Sequence, residues 1–159
     1  MRIHAPIHQG RAPWITAPLV AMTVLNAALA ASAHADPETD LSDAVASARS
    51  GTSCGSLRYN PVVEQVARII NRSTDDYLNQ AASRVPILDP LEGLKDLGYA
   101  GTKAHLLSGA GKTDAMAIHG ALLQGFSAIP DCSYTDVGLS MRRNETTGYN
   151  LASVVLAGP

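Results

Sequence analysis

The sequence is poor in groups that do chemistry. No histidine lies between Asp36 and Ala104, and only His105 and His119 follow. The two cysteines, Cys54 and Cys132, are spaced in no zinc-site pattern. Ser108, Ser127 and Ser133 are nucleophiles in name only, because none sits in a G-x-S-x-G elbow. The single tryptophan, Trp14, belongs to the N-terminal segment. There is no internal repeat and no low-complexity segment. Arg142-Arg143 is too small a basic patch for nucleic acid.

One stretch imitates a nucleotide site. "HLLSGAGKTDAM", from His105 to Met116, contains the Gly-Lys-Thr that ends a phosphate-binding P-loop. The first glycine of that motif falls on Leu106, and the preceding "DLGYAGTKA" is polar and broken by glycine. The expectation is therefore a Gly-Ala-Gly turn, an exposed Lys112 and a helix capped by Thr113, with no nucleotide bound.

The first 35 residues read as a leader. Arg2 and Arg11 precede an uncharged run from Ala12 to Ala33, and Ala33-His34-Ala35 is an A-x-A cleavage site before Asp36-Pro37. An uncleaved anchor is the alternative, since about 20 apolar residues span a bilayer; Pro13, Pro18, Asn26 and the A-x-A favour cleavage between Ala35 and Asp36. The expected products are a signal peptide, 1–35, and a secreted, extracytoplasmic domain, 36–159. Two of the 12 basic residues and none of the 14 acidic ones leave with the leader, so the remainder carries 10 − 14 = −4. An acidic domain of this size forms one core and makes a poor nucleic-acid partner. In an exported chain Cys54 and Cys132 are expected to form a disulfide, with two free thiols or a metal pair as alternatives.

The remaining pattern is helical first and stranded last. "LSDAVASAR" puts Leu41, Ala44, Val45 and Ala48 on one face. Asn60 caps a long helix opened by Pro61, with Val62, Val66, Ile69, Ile70 and Tyr77 as core and Glu64, Arg68, Arg72 and Asp75 facing away. Asp75-Asp76 reads as a solvated helix end. Asp89, Pro90, Glu92 and Gly98 bound a short helix. Ala115, Ile118, Leu122 and Phe126 line a third main helix, ended by Pro130. Val137, Leu139 and Met141 alternate, "NETTG" turns, and "YNLASVVLAG" returns as a strand. The fold class is α+β with a C-terminal antiparallel hairpin. Asn71-Arg72-Ser73 and Asn144-Glu145-Thr146 match the glycosylation sequon, a pattern short enough to arise by chance.

Several runs occur in the order seen in one family. "AVASARSGTSCGSLRYNP" resembles its helix, loop and L-R-W-[DN]-P entry, with Tyr59 in the tryptophan position. Gly98-Tyr99 stands before "AHLLSG", and "CSYTDVGLSM" is similar to its Y-[ST]-x-V-G strand. From about residue 41 to 157 the chain resembles the CAP superfamily of cysteine-rich secretory, venom antigen-type and plant pathogenesis-related proteins and bacterial exported domains. The resemblance implies a three-layer α-β-α sandwich and export. Typical members place two histidines and two glutamates around a cavity that sometimes holds a divalent metal. Here Gly125 stands where one histidine would fall and Ala104 where a glutamate would, so no metal and no cofactor are expected.

The resemblance implies a binding protein for an apolar or lipid ligand, or for an envelope or host partner, without recognisable catalytic groups. The rival is a hydrolase, or a metal- or haem-binding protein, built on His105 and His119. His119, one residue from Ile118 on the third helix, is expected to be packed or half-buried.

Overall fold

The computed structural model describes residues 36–159. The expected leader and its Ala33-His34-Ala35 end lie outside the described residues. No helix among the described residues is long and apolar enough to cross a membrane.

Helix α1 spans Pro37–Ser50. It begins ahead of "LSDAVASAR" because Pro37 suits the first turn and Glu38 and Asp40 suit the positive end of the helix dipole. Strand β1 is the pair Arg58–Tyr59, and helix α2 runs Pro61–Leu78. Asn60 caps α2, its side chain accepting from the N–H groups of Val62 and Val63. The bridge at residues 85–88 leads to α3, Pro90–Asp96, where the Asp89 side chain accepts from Leu91 N and Gly98 takes the left-handed stop at φ +82°. Then come β2 at Lys103–Gly111, α4 at Asp114–Gln124, β3 at Asp136–Asn144 and β4 at Tyr149–Gly158.

The sheet order is β1-β3-β4-β2. The hairpin β3–β4 forms its centre, β2 pairs antiparallel with β4, and β1 pairs parallel with β3. Helices α1 and α4 cover one face, with Leu41, Val45 and Ile118 packed on Leu107, Val137, Leu139, Val154 and Leu156. Helices α2 and α3 cover the other, with Val63, Val66, Ile70 and Leu94 on Val155 and Ala157. The result is a three-layer α-β-α sandwich. Because β4 is buried on both faces, it reads as a nearly continuous apolar run from Leu151, broken only by Ser153.

Four expectations about the chain need correction. Gly109-Ala110-Gly111 is the end of β2, paired with Ala152, Leu151 and Asn150, and not a turn. Its glycines serve close approach: a Cβ on Gly109 would lie 1.9 Å from the Ala117 carbonyl oxygen of α4. The buried face of α2 is Val63, Val66, Ala67, Ile70 and Asn71, while Ile69 and Tyr77 are exposed by 45% and 44%. Ala67 and Asn71 score poorly as core in a sequence, yet complete the helical spacing; Asn71 is tolerated because its Nδ2 donates to the carbonyls of Ser140 and Leu151. Asp75 does not face solvent: its carboxylate accepts from Asn144 Nδ2 at 2.7 Å and pairs with Arg142 at 3.6 Å. On α4 the buried residues are Ala117, Ile118 and Ala121; Phe126 lies past the helix and is 86% exposed. Both sequon asparagines, Asn71 and Asn144, are fully buried and bonded within the fold.

Candidate functional site

A partly enclosed cleft lies between α1, the loop at 51–57 and the start of β3. The end of α1 positions it. Arg49 is buried and its guanidinium donates four hydrogen bonds, Nε to Gly55 O, Nη1 to Ile129 O and Asp131 O, and Nη2 to Tyr134 O. The Cys54–Cys132 disulfide joins the same two loops. Thus pinned, the loop turns Leu57 inward and delivers β1 to its parallel partner, Arg58 opposite Asp136 and Tyr59 opposite Val137. The space enclosed is about 150 Å³, walled by Val45, Leu57, Tyr59, Val137 and Leu139, with Ser42, Ala46 and Ser56 among its polar and small lining residues.

The phenolic and charged groups near this cleft are already partnered. Tyr59 donates its hydroxyl to Glu64, and that bond, ahead of desolvation, pushes the phenol above its ordinary range. Glu64 also pairs with Arg68. On the opposite side of β1, Arg58 pairs with Asp136 at 3.0 Å, and Asp136 accepts from the Tyr99 hydroxyl at 2.7 Å. Burial, reinforced by that carboxylate, raises Tyr99 to about 12. The Tyr59–Glu64 bond holds Tyr59 in the cleft wall, and the titratable side chains lining the cleft, Arg49 and Tyr59, make no free acid–base pair.

His105 and His119 are both exposed, so His119 is not the packed or half-buried histidine expected. His105 sits on β2 with its ring 6.3 Å from that of Tyr134; His119 is on the outer side of α4. Among the described residues no group of three or more His, Cys, Asp or Glu is placed to hold a metal ion. The family's metal set does not fit here. A Cβ on Gly125 would lie 2.7 Å from Ile129 Cδ1 and 2.8 Å from Leu107 Cδ1, so an imidazole there would require both core side chains to shift. Ala104 packs beside the α2–α3 core.

One polar cluster escaped sequence reasoning. Lys103 Nζ donates to Asp131 Oδ2 at 2.6 Å and also to Ser133 Oγ, while the Ser133 hydroxyl donates to Asp131 Oδ1 at 2.7 Å. A serine beside a lysine has the look of a nucleophile and its base. The charges decide otherwise. Asp131, then burial and the other groups around it, shift Lys103, and the net shift is upward; the lysine and Ser133 hold Asp131 well below the usual carboxylate range. Lys103 stays protonated and has no lone pair for the serine proton. Residues 28 and 30 apart on a strand and a loop carry no local signal of such a meeting.

No protein-family model matches the sequence, and no curated protein matches it. Solved structures do. An outer surface protein from Borrelia burgdorferi superposes with a TM-score of 0.60 at 12% identity, over 77% of this chain and 92% of that one. A cysteine-rich secretory protein from Staphylococcus aureus gives 0.54 at 14% identity, over 77% of this chain and 38% of that one. An extracellular protein containing an SCP domain, from Bacillus anthracis, gives 0.54 at 16%, over 77% and 40%. The chain therefore spans about two fifths of the last two proteins.

Proposed function

On a chain that carries the CAP-type fold, we propose an exported binding domain whose α1–β3 cleft holds an apolar group, such as the acyl end of a lipid-like ligand. The observation that carries this reading is the wall of Val45, Leu57, Tyr59, Val137 and Leu139 around about 150 Å³. An apolar cavity of about that size accepts a benzene-sized group. The ligand inserts a chain end or one ring, and its remaining bulk stays outside.

Export is part of the proposal. It rests on the leader pattern of residues 1–35, with cleavage after Ala35, on the disulfide, and on the outer-surface, secretory and extracellular descriptions of the similar structures. N-terminal sequencing of protein recovered from the envelope or medium should begin at Asp36; a product retaining Trp14 contradicts it. Native mass spectrometry of the same material should show the chain with a co-purified amphiphile that organic solvent removes. Protein that is always ligand-free, and that takes up no fatty acid on incubation, contradicts the binding role.

A further inference from the structure

We propose that the free edge of β2 is a docking site for an extended peptide, which adds to the sheet as a new outer strand. The inference is independent of the α1–β3 cleft.

Strand β2 closes one side of the sheet and pairs with β4 along its whole length, from Lys103 opposite Gly158 to Gly111 opposite Asn150. The Ser108 N–H points away from β4, donating to Gln124 Oε1 at 2.7 Å. Antiparallel alternation then turns the backbone groups of Ala104, Leu106 and Ala110 outward as well. From Ala104 to Gly111 the strand has no charged residue and no proline, the usual guards of an exposed edge. On the other side of the sheet, past the two-residue β1, the outer edge of β3 differs. There the Met141 N–H donates to the Glu38 carboxylate at 3.3 Å, and the charged Arg142 and Arg143 follow.

Two clefts run along the β2 edge, lined on the α2–α3 side and reaching Gln124 of α4 across the edge, and share Ser108 and Gln124. One, of about 440 Å³, lies between the Leu88-Asp89-Pro90 segment and residues 104–108. The other, of about 210 Å³, lies between Asn71, Thr74 and residues 108–110. A strand projects every second side chain to one face, so one added strand fills both. The first cleft, walled by Leu88, Pro90 and Leu106 on one hand and by Asp89, His105 and Ser108 on the other, suits a side chain with an apolar stem and a polar end. The second suits a short side chain carrying N–H or O–H, because the fully buried Asn71 Oδ1 in its wall has no hydrogen-bond partner. The Gln124 carboxamide occupies the place of a strand carbonyl at Ser108 and is the group an incoming peptide displaces. The Leu88–Pro90 segment stands beside the edge as a wall of the first cleft and leaves the strand itself open along residues 104–108. A second copy offering its own β2 would bring its own Leu88–Pro90 segment against this one, which a free peptide does not carry.

The test selects binders from a displayed library of random linear peptides against the purified protein and maps one by amide NMR. Binding should shift the amides of Leu106, Ser108 and Ala110 and slow their exchange. Gln124→Ala, an exposed change, should tighten binding several-fold by removing the competing carbonyl. Ala110→Pro removes one outward N–H and spares the β4 ladder, and should weaken binding at least about tenfold. Circular dichroism checks that Ala110→Pro folds; if it does not, Gln124→Ala decides. The proposal is overturned if no peptide is retained, if shifts fall away from β2, or if Gln124→Ala leaves affinity unchanged. Sedimentation showing a dimer that Ala110→Pro abolishes would also overturn it, by assigning the edge to a second copy.

Discussion

Arg49 Nη2 on α1 donates to the carbonyl oxygen of Tyr134 at 2.8 Å, joining residues 85 apart in sequence. Together with the bonds to Gly55, Ile129 and Asp131, it makes one side chain the clamp between the loop before β1 and the loop before β3. Replacing Arg49 by Met keeps the buried stem and strands four carbonyls. The expected loss is about 3–5 kcal/mol of unfolding free energy, the scale of breaking a buried charged network. Urea unfolding measures it, and a loss under about 1 kcal/mol would show that the clamp is dispensable.

The disulfide ties the same loops at a sequence separation of 78. Closing so long a loop removes denatured-state entropy equivalent to roughly 4–5 kcal/mol. The Cys54→Ser, Cys132→Ser double variant, or wild type under reductant, should unfold at correspondingly lower denaturant. Because Arg49 spans the same gap, the two losses should be non-additive in a double-mutant cycle.

At the β2–α4 junction the Thr113 side chain accepts from Met116 N at 3.3 Å. Thr113→Ala should cost about 1 kcal/mol, as lost caps do. Lys112 is exposed as expected, but Nζ donates to Thr147 O at 2.8 Å and lies 4.2 Å from the Tyr149 ring centroid. Lys112→Ala should therefore cost up to about 1 kcal/mol through the hairpin contact. ATP or GTP with magnesium should give no thermal shift, whereas saturation at 100 times a dissociation constant would add about 2.7 kcal/mol.

Tyr99 gives the fold a signature in alkali. Its phenol is raised from 10.0 to about 12 by burial and the Asp136 bond. The folded state holds this proton more tightly than the unfolded one, so its contribution is complete below pH 10 and is lost as pH rises toward 12. Stability measured across that window should fall less steeply in Tyr99→Phe than in wild type. Parallel curves would contradict the assignment.

Helix ends were legible in the sequence because capping chemistry is local: Asn60-Pro61, Asp89-Pro90 and Thr113 each act within one turn. The hairpin was legible from β4's apolar run and the turn before it. What stayed hidden depends on partners far along the chain. Asn71 looks like surface until Ser140 and Leu151 face it. Gly109 looks like a turn until α4 lies on it. Arg49 looks like an ordinary cation at a helix end until its four carbonyls arrive from two loops. The apolar wall of the cleft was hidden for the same reason, since α1, β1 and β3 each supply part of it.

The central claim is that the α1–β3 cleft binds an apolar group. Ala46 is exposed on α1 at the edge of that cleft, so Ala46→Trp can close it without disturbing the core. The direct measurement is titration of both proteins with the fluorescent fatty acid cis-parinaric acid. Wild type should show saturable enhancement that unlabelled fatty acid competes away, and Ala46→Trp should lose it while keeping its melting temperature. No saturable signal in wild type, or equal binding by Ala46→Trp, would contradict the account.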